Sequence, residues 1–302
     1  MKRSTKRQLE KYDQNIIDIV NGLRNYWPLT LRQIYYQLVA AQLIDNRDSE
    51  YKKCSRRLKQ LRLAGSIPWK AMEDRTRRIT DKRGFEDADE YIKDEIDYFL
   101  SQYDRCYVQG QEVYLEVWLE KDALSRLFEN ICWQHCIRLV VNKGYQSTTF
   151  TEQYARRARL ALEQGQKPVI LYFGDFDPTG IDIFESAQRT LNHDFGIWET
   201  KYERIALNLD QIHAWNLPHD PEAVKKTDRR YRAFIKRYGH VAVELDAIHP
   251  EKLQSLIKTS IQDQFDMELF DQQKEVESVE RAKIYKLRHE VLEFIDERIK
   301  NI

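Results

Sequence analysis

"LYFGDFDPTG" (residues 171–180) ends an apolar run with two aspartates one residue apart and turns at once through Pro178 and Gly180. The run that feeds it, "PVILYFGD" (168–175), is short, β-branched and aromatic, which predicts a buried strand. While the chain stays extended, the i,i+2 spacing puts the side chains of Asp175 and Asp177 on one side. Proline and glycine then lead into a helix expected over 180–191. Two readings stay open at this point. Asp177 caps that helix, or the two carboxylates help to hold a divalent cation.

Outward from this stretch, short apolar runs alternate with helical segments. Strands are expected at 113–120 ("VYLEVWLE"), 137–142 and near 204–208, with helices at 122–136 and 151–165. The alternation predicts an α/β fold with a mainly parallel sheet joined by right-handed crossovers. Chemistry in such sheets gathers beyond the carboxyl ends of the strands. A third acid, Glu120, ends the first strand in "EVWLEKD". If that strand neighbours the aspartate strand, Glu120, Asp175 and Asp177 converge at one edge; alternatively Glu120 is a strand-end surface acid. Three such oxygen donors suit Mg²⁺ or Mn²⁺, and like charges this close are costly without a cation.

The 302 residues suffice for one large or two modest domains, and their formal net charge is zero. That zero hides an asymmetry: residues 1–84 carry 20 Lys and Arg against 9 Asp and Glu, and 85–302 carry 29 against 40. A basic segment joined to an acidic one is expected where one part holds a polyanion. The composition changes within "DKRGFEDADEYIKDEIDYFLSQYDR" (81–105). The expected division is a basic domain over 1–84, an acidic linker helix over 85–110, and a metal-binding domain with a C-terminal helical extension over 111–302. No apolar run spans a bilayer and the start lacks a signal-peptide core, so a cytoplasmic location is expected.

In the basic segment, "WPLTLRQIYYQLVAAQLI" (27–44) has Thr30 and Gln33 at capping-box spacing, so a helix starts there. Leu31, Ile34, Tyr35, Leu38 and Val39 form one buried stripe. Tyr36 is rotated off it and shares a more exposed face with Arg32, four residues earlier. Helical geometry therefore singles out Tyr36 as the available hydroxyl. The next helix (49–65) turns Tyr51, Cys54, Leu58 and Leu61 inward and leaves Lys52, Lys53, Arg56, Arg57, Lys59 and Arg62 on its other faces. With a wing in "SIPWKAMEDRTRR" (66–78), this pattern predicts a winged helix-turn-helix with a DNA-facing basic helix. The plainer reading is a solvated basic helix.

"LEKDALSRLF" and "GDFDPTGIDIF" resemble the glutamate and Asp-x-Asp motifs of a Toprim domain. "VVNKGYQSTTF" resembles the strand-end loop of its version in type IIB topoisomerase A subunits. "LTLRQIYYQL" is similar to the catalytic segment of those subunits and of the meiotic double-strand-break transesterase, with Gln33 where an acid is usual. The resemblance covers roughly residues 28 to 250 and lies nearest to stand-alone, Mini-A-like bacterial members. It implies metal roles for Glu120, Asp175 and Asp177, with Tyr36 as nucleophile and Arg32 beside it. It further implies cleavage of double-stranded DNA through a 5′-phosphotyrosyl link, in a homodimer where Tyr36 acts in trans. No GxxxxGK[ST] loop is present, so ATP-driven strand passage would require a separate ATPase subunit of the B type. Two rival readings are a hydrolytic Toprim nuclease and a DNA-binding protein without catalysis.

Other features say less. Glu244 and Asp246 in "VELDAI" either cap a strand or assist the site. "CWQHC" (132–136) holds Cys132, His135 and Cys136 in one apparent helix, where core packing is favoured over metal binding. Trp118 and Trp133 sit in core-like patterns. The last helix has an apolar side of Val276, Val279, Ile284, Leu287, Val291, Leu292 and Ile295, the pattern of a packing or dimer helix.

Overall fold

The computed structural model describes residues 3–73, 84–142, 144–218 and 228–299. Helices α1 (Arg3–Gly22), α2 (Leu31–Ala40) and α3 (Asp48–Leu63) share a core. Their buried positions, among them Ile16 and Val20, Ile34 and Leu38, Cys54 and Leu58, recur at helical spacing. Helix α2 starts where its sequence says it should. Thr30 Oγ1 accepts from the Gln33 backbone N–H at 3.3 Å, and Gln33 Oε1 accepts from the Thr30 N–H at 2.8 Å. Residues 66–73 hold one 3₁₀ turn, Trp69–Ala71, and a single parallel bridge from Leu29 to Met72, not a two-stranded wing. The rest of the expected wing falls largely outside the described residues.

The second part is α/β, with a four-stranded, all-parallel sheet in the order β2-β1-β3-β4. The strands are β1 (Val113–Leu119), β2 (Arg138–Val141), β3 (Lys167–Phe173) and β4 (Lys201–Ala206). Between them run α5 (Ser125–Gln134), α6 (Thr148–Glu163) and α7 (Pro178–His193), with α4 (Ala88–Tyr98) preceding β1. Alternation sorts the side chains. Trp118, Ile170 and Tyr172 pack with Tyr154 and Ala158 of α6 and Ile183 and Ala187 of α7. Phe173 points the other way, its ring 4.9 Å from that of Phe128 on α5. Glu116 is fully buried on β1 yet satisfied, by Arg157 Nε at 2.6 Å, Tyr114 Oη at 2.5 Å and Trp118 Nε1 at 3.0 Å.

Helices α8 (Leu209–Ala214), α9 (Tyr231–Tyr238) and α10 (Pro250–Gln262) follow, and α10 packs on α5. The last helix is α11 (Met267–Ile299). Two sequence expectations fail locally. Helix α5 stops at Gln134, so Cys136 lies beyond it at φ 55° and the three CWQHC side chains do not share a helix. Trp133 is 76% exposed, because the core stripe of α5 runs through Phe128, Ile131 and Cys132 and the next position points away.

The chain forms two compact units. One combines the described residues of 1–76 and 112–264, and the other those of 77–111 and 265–302. In the second unit, residues 99–111 run antiparallel along α11. Gln111 and Asp266 exchange hydrogen bonds of 2.8 and 2.9 Å, Arg105 reaches Glu280 at 2.8 Å, and Arg288 Nε donates to the Phe99 carbonyl at 2.8 Å. No helix among the described residues is long and apolar enough to cross a membrane.

Candidate active site

The register Leu119↔Phe173 makes β1 and β3 end level, so Glu120 and Gly174 leave the sheet side by side. Glu120 Oε2 accepts from the Asp175 N–H at 3.1 Å and from Tyr172 Oη at 3.2 Å. This closeness explains both glycines of the motif. A Cβ on Gly174 would stand 2.4 Å from Glu120 Oε2, and one on Gly180 would stand 2.3 Å from the Asp175 carbonyl oxygen. Asp177 caps α7, its Oδ1 accepting from the Gly180 N–H at 2.7 Å. Its other oxygen has no partner among the described residues. Capping therefore uses half of the carboxylate and leaves the rest.

Asp175 is buried. Its Oδ1 accepts from the Leu245 N–H at 2.7 Å, and its Oδ2 lies 2.9 Å from Lys121 Nζ. The same ammonium is 2.8 Å from Glu244 Oε2 and 3.1 Å from Asp246 Oδ2. Glu244 and Asp246 arrive through an antiparallel bridge between Phe176 and Val243. Glu244 also takes an ion pair from Arg32 on α2, which packs against the 245–247 turn. Below the acids, Arg204 of β4 clamps the loop backbone, donating to the carbonyls of Gly174, Asp175, Gly180 and Leu207.

Burial drives Asp175 up to about 7, against the pull of Lys121. Burial likewise raises Glu120, helped by Asp177. Glu244 goes the other way. Burial would raise it, but Lys121 and Arg32 outweigh that and hold it below the ordinary glutamate range. Lys121 is raised although burial opposes its charge, because three carboxylates surround it.

The two tyrosines of α2 differ as helical phase predicts. Tyr35 is buried and tied off, its hydroxyl 3.0 Å from Asn46 Oδ1 and 2.9 Å from the Arg47 N–H. Tyr36 is half-buried, and its hydroxyl makes no hydrogen bond among the described residues. Tyr36, Arg32, Asp177 and Glu244 line one cleft of about 280 Å³. Burial and Glu244 raise the Tyr36 phenol, while Lys121 and Arg32 pull it down.

The basic face of α3 is less uniform than its sequence. Arg57 is turned onto Asp13 in a two-point pair, and Lys53 lies 3.3 Å from Glu50 and over the Tyr12 ring. Lys52 is exposed beside Asp48 at 2.5 Å. Arg56 and Lys59 are exposed, and Arg62 stacks 4.3 Å above Trp69. Lys59 and Arg62 line a second hollow of about 610 Å³ that also includes Arg32.

Among the described residues, no three His, Cys, Asp or Glu side chains are gathered round a common point as ligands. Lys121 holds Asp175 instead. The donor chemistry nevertheless fits a hard divalent cation. Among the described residues, Glu120, Asp175, Asp177, Glu244 and Asp246 face Arg32, Lys121 and Arg204, five carboxylates to three cations. Fully ionised, the cluster carries an excess of two negative charges. Asp246 Oδ1 is also buried without a partner among the described residues. Lys121 and Arg204 were not assigned to the site from the sequence, and Glu244 and Asp246 were left open between capping a strand and assisting it; the structure brings both acids to Lys121. No protein-family profile matches this chain, and no curated protein is significantly similar to it.

Proposed function

We propose that this protein cleaves DNA by transesterification, with Tyr36 as nucleophile and a Mg²⁺-type ion held by Glu120, Asp175 and Asp177. In this reading the first three helices form a winged-helix-like DNA-binding part and the parallel sheet a Toprim-like one. The observation that carries it is the shared cleft: a half-buried tyrosine with an unengaged hydroxyl stands on one wall with Arg32, and Asp177 on the other.

Tyr36 Oη attacks the phosphorus of a backbone phosphate, the P–O3′ bond breaks, and the 5′ phosphate becomes joined to the tyrosine. The hydroxyl proton leaves Tyr36 and the departing 3′ oxygen gains one. A free phenol has a pKa near ~10, so the step needs activation. Arg32 and Lys121 supply positive charge that favours the Tyr36 phenolate, and Arg32 also suits the charge that develops on the phosphoryl oxygens. A bound divalent ion supplies charge neutralisation at the phosphate and at the leaving oxygen. Arg204 and the two glycines position the acids.

The test is incubation with supercoiled DNA and Mg²⁺ or Mn²⁺, then detergent, with and without protease. DNA ends that carry protein, and that disappear with Tyr36→Phe or Asp177→Ala, support the transesterase. Free ends made by Tyr36→Phe assign a hydrolytic nuclease. Mixing the two variants separates own-chain from paired sites. Because Tyr36 and Asp177 line a cleft of one chain, no rescue is expected; rescue would assign the acids of a second chain, as the resemblance implies. Partnership with an ATPase subunit of the B type belongs to the same reading and would appear as ATP-dependent strand passage on adding one.

A further inference from the structure

Helix α11 is 33 residues long, and residues 99–111 cover only one side of it. Its contacts to that segment include Phe270, Gln273, Glu277, Glu280, Arg281 and Arg288. At about 100° per residue, a different stripe lies roughly 110° round the helix. It contains Val276, Val279, Lys283, Leu287, Glu290 and Phe294 within an arc of about 80°. Val279 and Leu287 are 58% and 51% exposed, and Lys283 and Glu290 are exposed between them. Helix α4 of the same unit buries no residue at all, so this unit has little core of its own.

We infer that this stripe of α11 is the contact surface for α11 of a second copy, packed antiparallel about a two-fold axis near Tyr285 and Lys286. The charges choose the orientation. Parallel, in-register pairing would set Lys283 on Lys283 and Glu290 on Glu290. Antiparallel pairing brings Lys283 within one turn of Glu290 of the second copy, and the two-fold axis repeats that pair. It also lays Val276 and Val279 against the Phe294 end of the partner helix and leaves Leu287 near the axis. The seam is about 27 Å long, from residue 276 to 294. Among the described residues Glu290 has a loose pair with Lys286 at 3.9 Å, which leaves it able to meet Lys283 across the seam. This pairing does not depend on the chemistry at Tyr36.

Sedimentation equilibrium of the full chain tests it. The wild type is expected to be a dimer, and Leu287→Glu to weaken it about tenfold or more. Lys283→Glu and Glu290→Lys should each weaken self-association similarly, since each creates two like-charge contacts. Mixing these two variants, or combining both changes in one chain, should restore the dimer. That restoration also separates a lost contact from a misfolded helix, which circular dichroism of each variant checks. A wild type that stays monomeric, or a dimer indifferent to Leu287→Glu and to charge reversal, overturns the inference.

Discussion

Arg32 and Glu244, 212 residues apart in the sequence, are ion-paired across the cleft that holds Tyr36. Helix α2 is thereby fastened to the segment that also supplies Asp246. Glu244→Gln should release Arg32 and lower the Tyr36 phenol, because Glu244 is its strongest acidic neighbour. The expected outcome is a downward shift in the Tyr36 titration, read by ultraviolet difference spectroscopy against Tyr36→Phe. An unchanged titration would remove Glu244 from the electrostatics of that hydroxyl.

Lys121 is the hub of the acidic cluster, within 3.1 Å of three carboxylates. Removing one partner from a largely buried network leaves the others uncompensated, at a cost of about 3 kcal/mol. Lys121→Met should lower the urea midpoint accordingly, and Mg²⁺ should restore more stability to the variant than to the wild type. Equal responses to Mg²⁺ would mean that the ion does not enter this cluster.

Asp175 gives a pH dependence whose sign is fixed. Its folded pKa, about 7, lies above the ordinary aspartate value of about 4, so the folded state binds the extra proton. Without divalent cations, stability should therefore fall as pH rises from about 4 to about 7. Asp175→Asn should flatten that slope. The check is thermal unfolding in a chelator across this range, and a slope that survives in Asp175→Asn would place its origin elsewhere.

Gly180 is constrained by backbone, since a Cβ there meets the Asp175 carbonyl oxygen at 2.3 Å. Gly180→Ala must push the 175–177 loop off Arg204, with an expected cost of about 2 kcal/mol. Gly174 meets mainly the flexible end of Glu120 and the Tyr172 ring, so Gly174→Ala should disturb the position of Glu120. Chemical denaturation of both variants checks the order, and a stability-neutral Gly180→Ala would contradict it.

Much of this arrangement was legible in the chain. The strand-end position of Glu120 and the Asp-x-Asp spacing follow from local pattern, and the β1–β3 pairing turns that pattern into proximity. The phase of α2 separated Tyr35 from Tyr36, and the capping box located the start of the helix. What local pattern does not carry is which distant segment closes the site. Lys121 meets Glu244 and Asp246 more than 120 residues on, through a bridge that pairs only Phe176 and Val243. Arg204 offered one signal, a guanidinium in a strand that ends in buried residues. The six basic residues of α3 looked alike in sequence, yet Asp13 on α1 withdraws Arg57. Cys136 was misplaced because the helix ends before it, and Trp133 because it stands one position past the buried stripe of α5.

The proposed reaction joins Tyr36 covalently to DNA. The most direct measurement is mass spectrometry of the protein after cleavage, detergent trapping, and digestion with nuclease and trypsin. Trypsin should release residues 33–47, a peptide that contains both tyrosines of α2. A nucleotide adduct is expected on this peptide, localised by fragmentation to Tyr36, and none in Tyr36→Phe. An adduct on Tyr35, or cut DNA with no adduct on the protein, would contradict it.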